Sequence, residues 1–127
     1  MPENYLYEYA VIRLVPRVER EEFINAGVIL FSKPARFIGM LSRIDENKLR
    51  LFGAEPSPEA FRVALDAFEA VCYGRSGGGP IALLEPAERF RWLTAARSTC
   101  LQTSRPHPGL AADPEAALHR LFEELVL

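Results

Sequence analysis

The chain has 127 residues, of which 49% are hydrophobic and 25% are charged, and its formal net charge is −2 at pH 7. These values are typical of one folded domain, which we expect to span residues 1–127, and they argue against intrinsic disorder. The slightly acidic balance argues against a general nucleic-acid or anionic-membrane binder, because both need a basic excess.

The sequence shows no recognisable export or membrane signal. The start, MPENYLYEYAV, lacks a basic region followed by an apolar one, and no apolar run approaches the roughly 20 residues of a membrane span. Cys72 and Cys100 lie far apart and form no C-x-x-C motif. We therefore expect two buried thiols in a reducing cytoplasm, with a disulfide or redox pair as the alternative.

The N-terminal third predicts an antiparallel meander of three strands, over residues 5–16, 28–32 and 37–44. The first strand is apolar on both faces around Val11 and Ile12, which predicts that both faces of the sheet are covered. Asn25 and Gly27 tolerate left-handed backbone and predict a bulge or tight turn before the second strand. Gly39 predicts a bulge in the third strand.

The remainder of the chain predicts helices separated by loops. Asp45 caps a short helix over residues 45–52, and Ser57 caps a second helix whose apolar stripe runs to Cys72. A third helix is expected over residues 86–97, and a fourth begins at the cap Asp113. Residues 99–103 predict a fourth strand, whereas residues 105–112 are expected to be irregular because Pro and Gly oppose regular structure. The prediction is α+β: a small antiparallel sheet of three to four strands packed with three to four helices.

Four segments, in order along the chain, carry a family resemblance: YEYAVIRLVPRVEREEFINAGVILF, RWLTAARSTCLQTS, the turn PHPGL and DPEAALHRLFEELV. Together they resemble a bacterial family known as domain of unknown function number three thousand and thirty-seven. The resemblance covers nearly the whole chain and implies no established activity, cofactor or catalytic residue. Members of that family lie beside a kinase-like protein similar to the toxin kinases of toxin–antitoxin systems, which implies a protein partner.

Arg13 is the first candidate for a binding residue. It shares a strand face with Val11, so its guanidinium is partly buried and needs an acceptor. That acceptor is either a carboxylate or phosphate of a ligand or partner, or one of the chain's own carboxylates, for which the candidates are Glu8, Glu19 and Glu22. Asn25, at the predicted bulge or tight turn, is a further candidate for a ligand- or partner-binding residue.

A second group of polar side chains lies where the third helix, the fourth strand and the following turn meet: Arg91, Arg97, Ser98, Gln102, Arg105 and His107. Arginines and a histidine can hold a phosphate, and His107 can act as an acid or base near neutral pH. The structural alternative is that Arg97 caps the helix C-terminus and that His107 bonds the loop backbone.

Three further patterns favour structural explanations. Glu115, His119 and Glu123 share one helix face, but nothing fixes a third and fourth metal ligand, so we expect no metal and no cofactor. The glycine-rich stretch after the second helix lacks a phosphate-binding motif. Tyr5, Tyr7 and Tyr9 alternate on one strand face, where a covering helix is favoured over stacked bases.

These observations leave two classes of function open, because no nucleophile, base and orienting group can be named together. The leading hypothesis is a cytoplasmic, non-enzymatic interaction module that binds a protein partner through a sheet edge or through the Arg97–His107 region. The alternative is a small phosphate-ligand-binding or hydrolytic enzyme acting on a phosphorylated substrate or nucleic-acid end, with Arg13, Arg91, Arg97 and His107 in one pocket. A homodimer is a third possibility.

Overall fold

A computed structural model describes residues 4–52, 57–95 and 99–127 of the chain. The described chain has an α+β fold, with five strands in one antiparallel sheet and four α-helices, so the predicted fold class is confirmed. The elements in chain order are β1 (Tyr5–Leu14), β2 (Ile24–Ser32), β3 (Phe37–Ser42), α1 (Glu46–Leu51), α2 (Pro58–Cys72), α3 (Pro86–Leu93), β4 (Leu101–Thr103), β5 (His107–Ala111) and α4 (Pro114–Leu125).

The sheet begins as the predicted meander, in which β1 pairs with β2 and β2 pairs with β3. The other edge of β1 is shared by β4, which pairs with its C-terminal part, and by β5, which pairs with its N-terminal part. Ser104 links the two: its N–H donates to the Val11 carbonyl at 2.8 Å, and its hydroxyl accepts from the Val11 N–H at 2.8 Å. β4 and β5 therefore form one interrupted edge strand.

The prediction that residues 105–112 are irregular is wrong. His107 to Ala111 pair residue by residue with Tyr9 to Tyr5 of β1. An edge strand tolerates Pro108, because the missing N–H is not needed on the side that faces solvent. Long-range pairing with β1 thus outweighs the local preference of Pro and Gly for turns.

The predicted bulge before the second strand is confirmed. Ile12 lies opposite Gly27 and Arg13 lies opposite Asn25, so Ala26 is the extra residue of a β-bulge in β2. This strand begins at Ile24, four residues earlier than predicted. The bulge predicted at Gly39 is wrong, because that residue keeps the regular register with β2.

Helices cover both faces of the sheet, as predicted from the apolar centre of β1. On one face the strands pack against α1, α2 and α3, and the buried residues of this layer include Ala10, Ile12, Leu14, Ile29, Leu49, Phe61, Leu65, Phe68, Val71, Phe90 and Leu93. On the other face α4 packs mainly on β2 and β3, and the buried residues are Tyr7, Val28, Leu30, Ala117, Leu118 and Leu121. A helix therefore covers Tyr7 in the tyrosine stripe, as predicted.

The helix starts follow local capping chemistry. The side chains of Asp45, Ser57 and Asp113 each accept a backbone N–H bond in the first turn of the helix that they precede. The third helix is shorter than predicted: it ends at Leu93, and the Thr94 hydroxyl donates to a carbonyl of its last turn. Within the described ranges no helix is long and apolar enough to cross a membrane.

Each edge of the sheet carries a feature that hinders pairing with another strand. At the β3 edge the Met40 N–H donates to the Tyr73 hydroxyl oxygen at 3.0 Å, and that hydroxyl donates to the Met40 carbonyl at 3.2 Å. Burial raises the pKa of Tyr73, so the hydroxyl keeps the proton that it donates. At the opposite edge Pro106 and Pro108 offer no N–H donor.

Replacing Tyr73 by phenylalanine is expected to lower the free energy of unfolding by about 1 kcal/mol, because both hydrogen bonds to Met40 are lost. The uncovered β3 edge should also allow two copies of the chain to pair, so self-association at a given protein concentration should increase. Urea denaturation and sedimentation velocity measure the two effects. Tyr5→Phe is the matched control, since the Tyr5 hydroxyl makes no hydrogen bond within the described residues. Equal stability of the two variants would refute the proposed role of Tyr73.

Candidate functional site

Three of the predicted site residues meet in one row across the sheet. Arg13 on β1 lies directly opposite Asn25 on β2 and directly opposite Gln102 on β4. Directly opposed residues project from the same face of a sheet, so these side chains are neighbours although their segments are far apart in sequence. We call Asn25, Arg13 and Gln102 the Arg13 row.

Arg13 is held by an aromatic ring rather than by a carboxylate. Its guanidinium carbon lies 4.1 Å from the centroid of the Phe23 ring, a cation–π geometry. The expected ion pair to Glu8, Glu19 or Glu22 is not formed among the described residues, and Glu22 instead pairs with Arg20 at 2.6 Å. The Nε atom of Arg13 is buried and has no hydrogen-bond partner among the residues that the structure describes.

Asn25 presents a matching unpaired acceptor. Its Nδ2 donates to the carbonyl of Leu125 at 3.0 Å, which fixes the end of α4, whereas its Oδ1 is buried with no partner among described residues. Gln102 donates through Nε2 to the Thr99 carbonyl at 2.7 Å. A buried donor and a buried acceptor on directly opposed residues make this part of the sheet less stable than a fully paired one, since unpaired buried polar groups cost free energy.

An apolar groove adjoins the Arg13 row at the C-terminal end of α4. It has a volume of ≈ 390 Å³ and is lined by Phe23, Ile24, Asn25, Lys48, Leu51, Phe52, Leu125, Val126 and Leu127. Three of these apolar side chains are well exposed, with Phe23 at 45%, Leu51 at 86% and Leu127 at 60%. We call this feature the α4-end groove.

Cations surround the α4-end groove. Lys48 lines the groove, and together with Arg43 it lines a smaller adjoining cavity. Among the described residues, no carboxylate lies within ion-pair distance of Arg13, Arg43 or Lys48. The nearby carboxylate of Asp45 accepts from the Asn47 and Lys48 N–H groups as a helix cap. The arrangement therefore favours a segment that is both apolar and acidic.

Arg91 lies on the other side of the sheet. It belongs to α3, which packs against the face of β1 that carries Ile12 and Leu14, whereas Arg13 projects from the opposite face. There it lines a cleft with two cations that the sequence did not indicate as site residues, Lys33 and Arg36.

The remaining predicted residues occupy the edge formed by β4 and β5. His107 is exposed and its ring lies 5.4 Å from the ring of Tyr9, the residue opposite it on β1. Arg105 is exposed in the link between the two strands. Arg97 and Ser98 lie outside the described residues. The single pocket expected from Arg13, Arg91 and His107 is therefore not formed by the part of the chain that is described.

The model of the family described as "Protein of unknown function (DUF3037)" matches residues 9–126. The chain belongs to the DUF3037 family. The resemblance found in the sequence is thus confirmed, and the match includes the second half of β1, the whole Arg13 row and α4. No curated protein and no solved structure matches the chain.

The cysteines of this DUF3037 protein are unbonded: Cys72 is buried, as predicted, whereas Cys100 is only partly buried. Burial raises the pKa of the Cys72 thiol to about 12. Within the described segments, no three or more His, Cys, Asp or Glu side chains are grouped so that they could hold a metal ion.

Sequence reasoning missed Phe23, Arg43 and Lys48 as site residues. Phe23 lies in a charged stretch, VEREEF, and the two cations look like ordinary surface charges. No local signal distinguishes them, because their role depends on how the end of α4 packs beside β2 and α1. The exposed apolar side chain of Leu51 within a charged helix, ENKLRL, is the one feature that could have drawn attention to this surface.

Proposed function

We propose that this DUF3037 protein is a non-enzymatic interaction module of the bacterial cytoplasm, and that the Arg13 row and the α4-end groove bind a protein partner. The observation that carries the proposal is the exposed apolar groove beside cations that have no counter-ion among the residues that the structure describes. The partner suggested by the family resemblance is the kinase-like neighbour. The two unbonded cysteines fit the reducing cytoplasm.

The two sheet edges support docking on a face rather than strand addition. The Tyr73 hydroxyl occupies the N–H and carbonyl of Met40 on β3, and prolines interrupt the opposite edge. A partner that added a strand would have to displace that hydroxyl or accept an edge with missing donors. Exposed Phe23, Leu51 and Leu127 offer instead the apolar centre of a face-to-face contact.

Charge supports a partner segment that carries a carboxylate or phosphate. The stacked Arg13 guanidinium keeps a fixed orientation, which reduces the entropy lost when an acceptor binds. Arg43 and Lys48 extend the positive potential along the groove. The affinity should therefore fall as salt is added, because partly exposed charges are screened.

The chemistry of the Arg13 row argues against an enzyme at this place. Amide and guanidinium groups bind and orient, but none of them is a nucleophile or a base near neutral pH. His107, the histidine that sequence analysis selected for acid or base chemistry, lies elsewhere on the sheet, and the nearby Asp45 carboxylate is used as a helix cap.

The test is direct binding between the purified chain and the kinase-like protein, measured by isothermal titration calorimetry at two salt concentrations. Arg13→Gln removes the charge, and Leu51→Asp places a carboxylate in the apolar groove without touching the core. Each variant is expected to weaken the affinity by about tenfold or more. Arg13→Gln loses a charged hydrogen bond, which is worth about 1.5–3 kcal/mol, and Leu51→Asp buries a carboxylate among apolar side chains when the partner binds.

Arg75→Gln is the matched control, because Arg75 is an exposed arginine paired with Glu69 on another part of the surface. It should bind as tightly as the wild type. No binding by the wild-type chain, or equal binding by Arg13→Gln and Leu51→Asp, would refute the proposal. A dimer that buries this groove, seen by sedimentation and lost in Leu51→Asp, would refute it in favour of self-association.

A further inference from the structure

A second concave surface lies on the opposite face of the sheet, between the β2–β3 turn and the first turns of α3. The cleft has a volume of ≈ 560 Å³ and is lined by Phe31, Lys33, Arg36, Phe37, Ile38, Glu85, Pro86, Ala87, Glu88 and Arg91. Its size falls in the range of small-molecule sites, about 300–1,000 Å³. We call it the Arg36 cleft.

Three cations line the Arg36 cleft without ion pairs. Lys33, Arg36 and Arg91 have no carboxylate within 4.0 Å among the described residues, although Glu85 and Glu88 line the same cleft. Other arginines of the chain are paired, including Arg20, Arg62 and Arg75. Cations that converge on one cavity and remain unpaired are available to an anionic ligand.

The backbone of Arg36 supports a use for its side chain. Its φ is +54°, a left-handed conformation that glycine or asparagine adopts more easily. The residue closes the hairpin turn, where its N–H donates to the Lys33 carbonyl at 3.1 Å. An arginine at this position is less favourable for folding than glycine, which indicates that the guanidinium is useful where the turn places it.

The apolar part of the cleft is held by the core. The rings of Phe31 and Phe90 lie 5.6 Å apart between centroids and join β2 to α3. Phe90 is fully buried, so the two walls that carry Lys33 and Arg91 cannot separate easily. Ile38, which pairs with Phe31 on the same face of the sheet, adds aliphatic surface to the lining.

We propose that the Arg36 cleft binds a phosphorylated aromatic small molecule of the size of a mononucleotide. The phosphate lies against Lys33, Arg36 and Arg91, and the aromatic ring lies against Phe31 and Ile38, which are paired on the same face of the sheet. Glu85 and Glu88 accept hydrogen bonds from hydroxyl or amino groups of the ligand, which a bare phosphate lacks. This site is on the face opposite the Arg13 row, and it does not depend on the function proposed there.

The first test is calorimetric titration of the full chain with the four nucleoside 5′-monophosphates, their nucleosides and inorganic phosphate. At least one monophosphate is expected to bind with a Kd below about 1 mM, and its nucleoside and inorganic phosphate should bind about tenfold or more weakly. Binding of inorganic phosphate as tight as that of every nucleotide would overturn the proposal in favour of an unspecific anion site. No binding by any nucleotide would also overturn it.

Arg36→Gly gives the sharpest variant, because glycine suits the left-handed position while it removes the cation. Its melting temperature should equal or exceed that of the wild type, and the affinity for the best monophosphate should fall about tenfold or more. Arg91→Gln should lose a similar factor. Arg62→Gln, which removes an arginine paired with Glu46, and Arg13→Gln should bind the nucleotide as the wild type does. Unchanged affinity in Arg36→Gly and Arg91→Gln would overturn the proposal.

Discussion

Replacing Gly27 by alanine is expected to lower the free energy of unfolding by about 2–3 kcal/mol. Gly27 lies in the centre of the sheet, and a Cβ at this position would be 2.6 Å from the carbonyl oxygen of Leu41, 3.1 Å from the Cβ of Ser42 and 3.2 Å from Cδ1 of Ile12. The nearest atom belongs to the backbone of β3, so the strands themselves must shift. Overpacking of this kind costs about 1–3 kcal/mol, and occasionally more.

Gly77→Ala is the matched control, because a Cβ at Gly77 meets no described atom within 4 Å. Its stability should be unchanged or higher by about 0.4–1 kcal/mol, since alanine reduces the conformational entropy of the unfolded chain. Urea denaturation at constant m value measures both changes. If the two variants lost the same free energy, the close strand approach at Gly27 would not be the reason for glycine.

Gly27 also shows what local sequence patterns can predict. The glycine and the neighbouring Asn25 correctly predicted a bulge, but for a different reason from the one observed. Among the described residues the glycines with positive φ are Gly74 and Gly79, so Gly27 does not use left-handed backbone. It is required by the approach of β3, and such proximity between strands is not encoded in a local pattern. Helix caps such as Asp45 and Ser57 were predictable because they act within one turn.

β5 is the element that local reasoning missed, and its pairing explains why. Pro108 and Gly109 oppose a strand in isolation, yet Gly109 lies opposite Tyr7 and leaves room for that ring to cross the strand. Aromatic rings placed over an opposing glycine stabilise sheets. The benefit depends on a partner about a hundred residues away in sequence, so propensity alone cannot reveal it.

The candidate residues were predicted individually, but their grouping was not. Arg13, Asn25 and Gln102 were all selected as polar residues on strands or turns, and the register of β1 brings them into one row. Arg91 was assigned to the same pocket, whereas the packing of α3 carries it to the other face with Lys33 and Arg36. The order of the strands, and the face of the sheet on which a helix packs, depend on contacts over the whole chain. The candidate polar residues could therefore be chosen from the sequence, but their positions relative to one another could not.

The free energy of unfolding is expected to fall at alkaline pH because of Cys72. Burial raises the pKa of this thiol to about 12, from an ordinary value of 9.0, and its side chain is fully buried. Between these pH values the unfolded state loses the thiol proton while the native state keeps it, so the native state binds more protons and stability falls as pH rises. Each pH unit in this window costs about 1.4 kcal/mol, which gives a loss of about 2 kcal/mol by pH 10.5.

The comparison that isolates this effect is wild type against Cys72→Ala, each unfolded in urea from pH 7 to pH 10.5. Alanine leaves a cavity, so the variant is less stable at neutral pH, but it has no thiol to ionise. Because Tyr73 is present in both chains, its alkaline titration largely cancels, and the stability difference between the chains should shrink by about 2 kcal/mol above pH 9. If the stability difference stayed constant to pH 10.5, the pKa of Cys72 would be the same in the folded and the unfolded chain, and the prediction would be wrong.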